Sequence, residues 1–488
     1  MLRVMVWCMM GPFEEPFVRR PGSDSMKVTL MRLAGGGPQQ SQRYGGGHLG
    51  LGYIAACLLQ RGHQVRVLDG KKQTITEADV RQHIREFQPQ IFGVTAMTHE
   101  IHGAARACEG VKAEAGDIVT IVGGPHTTAL PERTLEEFPA VDLAAVGEGE
   151  STMCELAAAM AAGNGAAATG EIRGLAFRHG GKIVRTADRP WLEDLDSLPF
   201  PAWHLFPKVF WPVFASRGCP YGCLFCQRVM GRRLRLRSVD NVLAELDALE
   251  EKVGQRDAWF QDDTFGVNPK WTDEFLDKLI ARNQRKGYVY PWGGNSRANL
   301  AEASVYRKMR SSGCYTVSFG VESGNDEILK RIQKGATCAM ARNAIAAAKK
   351  AGIHTSAFFI IGHPGETWKT ALQTVHMAAK CGADSIAAGV MVPYPGTVIW
   401  DMARKGDYGY RLLSEDWRLY DKYFGGALAI RGLSHRQLEF FQVLTYVWHH
   451  AYNLRLREFA NFALRFRREA VAMLKRLFHR TPAVEHPE

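Results

Sequence analysis

The chain has 488 residues, of which 46% are hydrophobic and 23% are charged, and this composition excludes an intrinsically disordered protein. No uninterrupted run of 18 apolar residues occurs, so the sequence predicts no transmembrane helix. Nearly half of the net charge of +11 is local, because residues 431–488 carry ten Arg and Lys against five Asp and Glu. The absence of any recognition motif argues against nucleic acid as a partner.

The first residues predict an extension rather than part of a domain. Residues 1–10 are apolar, but they are too few to span a membrane and lack the basic start of an export signal. A clean strand pattern begins at Met26, so we assign 1–25 to an N-terminal extension and leave open whether Met1 or Met26 is the true start.

Residues 26–165 alternate between strand and helix patterns, which favours an α/β domain with a doubly wound parallel sheet. The predicted strands cover 28–33, 65–68, 91–95 and 119–122. Each ends in a loop of glycine or small polar residues, and ligands of such sheets bind beyond these ends. Because no G-x-G-x-x-G opens a helix after the first strand, a dinucleotide is excluded and another large flat ligand is expected.

Residues 166–205 are predicted as a linker. Its part 191–204 combines prolines with acidic residues, as in an extended strap between domains. Such a strap is expected to bring the domains on its two sides face to face.

Three cysteines, Cys219, Cys223 and Cys226, follow a short apolar segment at 210–215 and share one tight loop. The glycines and proline between them let the backbone curl, so that three sulfurs can meet at one small object. Structural zinc sites usually take four ligands from two separated pairs, and no second pair follows, so zinc is the weaker alternative. A four-iron cluster has four corners, and three thiolates would leave one iron open to a small molecule.

Further strands are predicted at 258–260, 290–293, 316–321, 355–361 and 385–392, with helical stretches between them. With the segment before the cysteines they make six, which fits an open (βα)6 partial barrel over 206–400. Polar or glycine clusters follow these strands, and functional residues of such barrels lie at the carboxyl ends of the strands. The candidates there are Asp262, Asp263, Arg297, Glu322, Gly362 and Glu366.

Residues 401–488 are helical and aromatic in pattern and predict a lid or substrate-recognition domain. Over 455–480, apolar residues recur at helical spacing among arginines and lysines. A helix packed on its own protein is the simpler interpretation, and a membrane-surface helix that serves an amphiphilic substrate is the alternative. Six further cysteines lie in apolar or helical stretches and are expected to be core residues of a cytoplasmic protein, with peripheral membrane association left open: Cys57, Cys108, Cys154, Cys314, Cys338 and Cys381.

The pattern Cys-x3-Cys-x2-Cys, with Phe225 just before the last cysteine, resembles the radical S-adenosylmethionine (radical SAM) superfamily. The resemblance implies that the three cysteines bind a 4Fe-4S cluster whose open iron is chelated by the methionine portion of SAM. It also implies that Glu322 contacts the amino acid or ribose portion of SAM and that Arg297 pairs with the carboxylate of SAM. Gly362 is implied to lie close to the adenine of SAM. The remaining implied SAM contacts are Phe225, Asp262, Asp263 and Glu366.

Taken with this loop, the N-terminal domain resembles the cobalamin-binding domain of cobalamin-dependent radical SAM enzymes, in the order and spacing of segments 49–55, 62–65, 123–126 and 147–150. The implied cobalamin contacts are Gly47, Leu49, Gly50, Asp69, Thr95, Met97, Gly123, Gly124, His126, Gly147 and Glu148. One departure is that Asp69 precedes Gly70-Lys71-Lys72-Gln73 instead of an Asp-x-His-x-x-Gly loop, so cobalt is expected to lack a lower histidine ligand. His99 and His126 are expected to be polar pocket or core residues instead.

The resemblance implies a C-methyltransferase that acts on an unactivated carbon. One SAM would yield the 5'-deoxyadenosyl radical, methylcobalamin would supply the methyl group, and a second SAM would restore it. An oxidative cyclase or rearrangement enzyme for a tetrapyrrole or similar substrate is the first alternative, and a non-catalytic cobalamin or redox sensor is the second. The expected partners are a small-molecule substrate, which an amphiphile would fit, and flavodoxin or ferredoxin as electron donor.

Overall fold

A computed structural model describes residues 25–33, 46–70, 74–164, 169–207, 210–300, 302–423 and 426–455. Three predicted features lie outside these residues: the N-terminal extension, the turn Lys71-Lys72-Gln73, and the basic amphipathic segment after residue 455. Within the described residues, no helix is both long and apolar enough to cross a bilayer.

The N-terminal domain is a seven-stranded sheet in the order β2-β1-β3-β4-β5-β6-β7. Its first five strands are parallel and alternate with helices, as the pattern predicts. The elements are β1 (Lys27–Arg32), α1 (Leu49–Gln60), β2 (Gln64–Asp69), α2 (Glu77–Phe87), β3 (Ile91–Thr95), α3 (Ile101–Glu114), β4 (Val119–Gly123), α4 (Pro125–Ala129), α5 (Pro131–Glu137), β5 (Leu143–Ala145) and α6 (Gly149–Ala161).

An antiparallel hairpin, β6 (Leu175–His179) and β7 (Lys182–Arg185), completes this sheet beside β5. The hairpin lies within the segment predicted as linker, so the observed sheet continues past residue 165. The strap that remains carries Trp203, whose ring stacks on that of Trp211 in the segment before the cysteine loop, with centroids 6.2 Å apart.

The second domain contains a five-stranded parallel sheet in the order β10-β11-β12-β13-β14. The sixth predicted strand, 210–215, is reduced to one parallel bridge between Val213 and Phe260. Pro212 has no N–H for a ladder, which favours such an interruption. The elements are β8 (Ser216–Arg217), β9 (Arg235–Leu236), α7 (Val239–Val253), β10 (Ala258–Phe260), α8 (Pro269–Lys286), β11 (Trp292–Ser296), α9 (Ala303–Ser312), β12 (Cys314–Glu322), α10 (Asp326–Arg331), α11 (Cys338–Lys350), β13 (His354–Ile361), α12 (Trp368–Lys380) and β14 (Ser385–Val390).

The two domains share one continuous hydrophobic core. It runs from Val28 in the first sheet through Trp203 of the strap and Trp211 to Phe260 in the second sheet. The six cysteines predicted as core residues are all buried as free thiols. This arrangement confirms the predicted fold class, a doubly wound sheet followed by a partial barrel. That the strap brings the two domains face to face stays a prediction.

The C-terminal region consists of α13 (Val398–Lys405), a short antiparallel pair of β15 (Tyr410–Leu412) and β16 (Leu428–Ile430), and α14 (His435–Tyr452). It is helical as predicted, apart from the strand pair. Trp417, between those strands, lies against the N-terminal domain. Its Nε1 donates to Glu137 Oε2 at 2.6 Å, the Arg133 guanidinium lies 4.4 Å from its ring, and His126 meets it edge-on at 5.1 Å.

We predict that Trp417→Ala destabilises the fold by about 3–5 kcal/mol, because it leaves a cavity where a fully buried ring contacts the N-terminal domain. The exposed Trp448, 40% accessible on α14, provides the control, and Trp448→Ala should cost far less. Denaturant unfolding measures both, and equal losses would show that Trp417 does not hold the two regions together.

Candidate active site

The cysteine loop begins directly after β8, which pairs with β9 across the loop. Gly218 has φ +84°, and a Cβ there would lie 2.2 Å from the Arg233 carbonyl oxygen, so only glycine fits before Cys219. The Cys219 N–H donates to the Gly231 carbonyl oxygen at 3.2 Å, and the Cys226 N–H donates to the Cys223 carbonyl oxygen at 3.3 Å. These bonds fix the curl of the loop that the spacing predicts.

The surroundings of the thiols fit a negatively charged metal cluster. Arg297 Nη1 donates to Cys223 Sγ at 3.3 Å, and Thr264 Oγ1 lies 3.6 Å from Cys219 Sγ. Donors at this position stabilise thiolate ligands. Within the described chain, no three His, Cys, Asp or Glu side chains lie close enough to hold a single metal ion. A four-iron cluster does not need such a group, because each thiolate binds a different iron.

A chain of contacts leads from Cys223 into the barrel. Arg297 also donates through Nη2 to the Lys334 carbonyl oxygen, and the Lys334 ammonium lies 2.6 Å from Glu322 Oε1. His363 Nε2 lies 3.4 Å from the Glu322 carbonyl oxygen, and its ring centroid is 6.0 Å from that of Phe225. The structure thus brings together three of the predicted SAM residues, Arg297, Glu322 and Phe225.

The backbone is irregular where this chain of contacts crosses the strand ends. The β12 register shifts between Gly320 and Glu322, and Glu322 itself has φ +70°, in the left-handed region. Bulges and such backbone angles are frequent next to active sites, where they aim a side chain. Gly362, with φ +104°, follows β13, and its N–H donates to Glu366 Oε2 at 2.5 Å. Glu366 therefore braces the turn that Gly362 forms.

The two aspartates differ in burial and in their contacts. Asp262 is buried and accepts hydrogen bonds from the Ala215 N–H at 2.8 Å and from the Ser216 hydroxyl at 2.5 Å, so it supports the strand that carries the loop. Asp263 is exposed beside the loop. Assignments of both to SAM binding stay predictions, and for Asp262 the observed contacts are structural.

Burial shifts the titration of three of these groups. It raises the pKa of Asp262 to about 6, although the hydrogen bonds from Ser216 and Ala215 act to lower it. It also raises the pKa of Glu366 to about 7. It lowers the pKa of His363 to about 4, so this histidine is neutral at physiological pH. His363 therefore offers the site a neutral ring with one donor and one acceptor.

Four of the predicted cobalamin residues lie at one edge of the first sheet. Asp69 is paired in register with Arg32, Arg32 with Thr95, and Thr95 with Gly123. Gly124 follows with φ +103°, and a Cβ there would lie 2.8 Å from the Ala96 carbonyl oxygen. This edge is where ligands of doubly wound sheets bind.

The other cobalamin candidates divide into two groups. Gly147 has open space around it, and Met97 is 50% exposed, so both leave room for a ligand at this edge. Gly47 instead packs under Trp203 and donates its N–H to the Phe210 carbonyl oxygen at 3.0 Å, which joins it to the strap. Leu49 and Gly50 form the first turn of α1.

His126 is fully buried behind the sheet edge, and both ring nitrogens lack a hydrogen-bond partner among the described residues. Burial lowers its pKa to about 3, so the ring is neutral. It packs against Trp417, as expected of a core histidine. His99, by contrast, lies in a single helical turn after β3.

Glu148 lies in a buried ionic network that joins the two domains. Its carboxylate is 2.8 Å from both Arg217 Nη1 and Arg235 Nη1, and Glu150 Oε1 lies 2.6 Å from Arg217 Nη2. All four side chains are at least nine-tenths buried. Burial alone would raise the pKa of Glu148, but the Arg217 guanidinium and the Leu192 N–H outweigh it and lower the pKa. Because Arg217 precedes the cysteine loop by one residue, the network anchors that loop to the first sheet.

Sequence reasoning missed Arg217, Arg235, Glu150 and Lys334. Arg217 and Glu150 lie inside two motifs, Ser216-Arg217-Gly218 and Gly147-Glu148-Gly149-Glu150. The opposite charges of these two motifs were the available signal that they pair. Lys334 had no such signal, since only the fold brings it to Glu322.

Comparison with protein families gives two matches within the chain. Residues 43–157 match the B12 binding domain, and residues 213–378 match the radical SAM superfamily. The two matched segments are the two domains that the network joins.

Similar proteins share this organisation. The chain is 35% identical to an uncharacterized methyltransferase of Pyrococcus horikoshii, over 76% of this chain and 81% of that protein. It is 32% identical to an anaerobic magnesium-protoporphyrin IX monomethyl ester cyclase of Rubrivivax gelatinosus, over 70% of this chain and 64% of that protein. Its fold resembles that of the radical S-adenosylmethionine methyltransferase TsrM from Kitasatospora setae, solved with cobalamin and a [4Fe-4S] cluster, with a TM-score of 0.66, 17% identity and coverage of 86% of this chain and 81% of the other.

We predict that Glu148→Gln lowers the free energy of unfolding by about 3–5 kcal/mol. The substitution removes the carboxylate charge that faces two buried guanidinium groups, those of Arg217 and Arg235. Glu193→Gln is the matched control, since Glu193 forms an exposed pair with Arg233 at 2.9 Å and should cost less than about 1 kcal/mol. Denaturant unfolding measures both variants. Equal effects would mean that the network does not hold the domains together.

The raised pKa of Glu366 predicts a pH dependence. A carboxyl whose folded pKa is raised from 4.5 to about 7 binds its proton more tightly in the folded state, so stability falls as pH rises from about 4.5 through 7. Glu366→Gln keeps the acceptor oxygen but removes this titration, and it should gain about 2–3 kcal/mol relative to the parent between pH 5 and pH 8. Denaturant unfolding at pH 5 and at pH 8 measures this change, and Glu327→Gln, at an exposed position, is the control. The same difference in unfolding free energy between Glu366→Gln and the parent at both pH values would contradict the prediction.

Proposed function

This chain belongs to the cobalamin-dependent radical SAM enzymes and is of the methyltransferase kind, and we propose that it places a methyl group on an unactivated carbon of a small-molecule substrate. The observation that carries the proposal is the direct joining of the cysteine loop to the cobalamin-type sheet through Arg217, Glu148 and Glu150. A substrate carbon must meet both cofactors, and this network joins the two elements to which we assign them.

The residues around the loop supply binding and charge. Cys219, Cys223 and Cys226 would hold three irons of the cluster, and Arg297 would donate a hydrogen bond to the Cys223 thiolate. The Lys334 ammonium fixes the Glu322 carboxylate, which we assign to the amino acid or ribose portion of SAM. Gly362 would let the backbone approach adenine, and Glu366 keeps that turn in place.

The sheet edge formed by Asp69, Thr95, Gly123 and Gly124 would hold cobalamin, with Gly147 and Met97 facing the open space beside it. When bound, the cluster supplies the electron that splits SAM, and cobalamin supplies the methyl carrier. Hydrogen removal by a radical needs no general base, so the protein's work is to position groups and exclude water. Electrons would come from an external one-electron donor such as flavodoxin or ferredoxin.

A second candidate function is oxidative cyclisation, which the 32% identity to the Rubrivivax cyclase favours. The two reactions differ in the mass of the product. For any substrate that stimulates SAM cleavage, methylation adds one methylene group and carries the label of a deuterated SAM methyl group, whereas cyclisation removes hydrogens and carries no label.

We predict that Cys219→Ala, Cys223→Ala and Cys226→Ala each reduce formation of 5'-deoxyadenosine by at least about 100-fold, because loss of even an outer partner of a metal ligand costs 10–100-fold. The buried Cys381, in the turn after α12, is the control, and Cys381→Ala should keep this activity. Anaerobic assays with reconstituted, reduced protein give the rates. A cysteine variant as active as the parent would overturn the proposal, as would a fully loaded parent that never cleaves SAM, which is the behaviour of a sensor.

A further inference from the structure

A cavity of about 260 Å³ adjoins the exposed Cys226 thiol. Its walls are the end of the cysteine loop and the first turn of α13. Gly396, on its rim, comes close enough to Ala129 of α4 that a Cβ would lie 3.2 Å away. The cavity therefore lies where the cysteine loop, the barrel and the cobalamin-type domain meet.

Apart from the Cys226 thiol, which would be a cluster ligand, the only charged side chains that line the cavity are two arginines. Arg228 and Arg232 line it, and no acidic residue does. In the described part of the chain neither arginine forms an ion pair, whereas the neighbouring Arg233 pairs with Glu193 at 2.9 Å. Arg228 Nη2 donates to the Cys223 carbonyl oxygen at 3.0 Å, but its buried Nε has no partner among the described residues.

The backbone adds to this charge. Thr397 caps α13, and Thr397 and Val398 line the cavity, so the N-terminal end of this helix adds positive potential there. Asp401 is in the same first turn, but it is exposed and does not line the cavity. Arg228 has φ +50°, a backbone angle that costs free energy for a residue other than glycine and is found mainly at functional sites.

Compensation of the cluster's charge accounts for part of this arrangement. The Arg228 N–H faces the Cys226 thiol, and its guanidinium holds the loop at Cys223. Arg232 makes no such contact, since its side chain is exposed at the cavity. A second guanidinium next to the first, without a carboxylate between them, indicates an anion that comes from outside the chain.

We propose that this cavity binds an oxyanion group of the substrate, a carboxylate or a phosphate-type group, between Arg228 and Arg232. The assignment rests on the proposed function, because a substrate that reaches both cofactors must lie near this junction. The volume suits one anionic group and its nearest atoms rather than a whole large substrate. Guanidinium groups bind either oxyanion through two parallel hydrogen bonds.

The test titrates the reconstituted, full-length holoenzyme with inorganic phosphate and with malonate, by calorimetry at constant ionic strength. We expect saturable binding of at least one probe, weakened at least about tenfold in Arg232→Gln. Arg233→Gln is the matched control, because Arg233 is adjacent in sequence but pairs with Glu193 outside the cavity. Binding of phosphate alone indicates a phosphate-type group, and binding of malonate alone indicates a carboxylate.

Three outcomes overturn the proposal. The first is that neither probe binds saturably. The second is that Arg232→Gln and Arg233→Gln weaken binding equally. The third is that Arg228→Gln loses iron and sulfide while Arg232→Gln leaves probe affinity unchanged. The last result would assign the arginines to the cluster. Formation of 5'-deoxyadenosine in the same preparations separates the two claims: SAM cleavage without probe binding overturns only this inference, and probe binding without SAM cleavage overturns the proposed function.

Discussion

The buried pairing of Glu148 and Glu150 with Arg217 and Arg235 is the interaction on which the rest of the structure depends. Charges this deeply buried are costly unless every one is compensated, so the pairing is satisfied only when both domains are in place. The carboxylates begin α6 of the first domain, and the guanidinium groups lie on β8 and β9, the two strands that flank the cysteine loop. One set of contacts therefore fixes the domain interface and the position of the cysteine loop at the same time.

A second constraint acts from the barrel side. Arg297 contacts both Cys223 and the Lys334 carbonyl oxygen, and Lys334 holds Glu322. Positive groups thus surround the loop on two sides, and they suit a site where thiolates and a reduced cluster bring negative charge. The irregular backbone at Glu322 and at Arg228 fits this view, because both residues lie beside the loop.

Local patterns predicted much of this molecule. The cysteine spacing and the alternating strands led to the family and to both cofactors, and the comparisons with known proteins confirm them. The strands at 91–95 and 258–260 have the predicted bounds, because each is a short buried run between clear breaks. The predicted strand at 210–215 was wrong in extent, because Pro212 interrupts it. The resemblance assigns Glu148 to cobalamin, and this assignment stays a prediction, but nothing local shows the ion pair of Glu148 with Arg217, 69 residues away. Long-range ion pairs are set by the tertiary fold, and a single sequence does not display them.

The central claim is that one chain holds a cluster and cobalamin next to each other across this network. Electron paramagnetic resonance of the holoenzyme tests it most directly, by measuring the spin relaxation of cob(II)alamin with the cluster oxidised and with the cluster reduced. We expect faster relaxation when the cluster is reduced, because two unpaired spins close together in one molecule couple magnetically. Identical relaxation in both states, with both cofactors fully loaded, would contradict it.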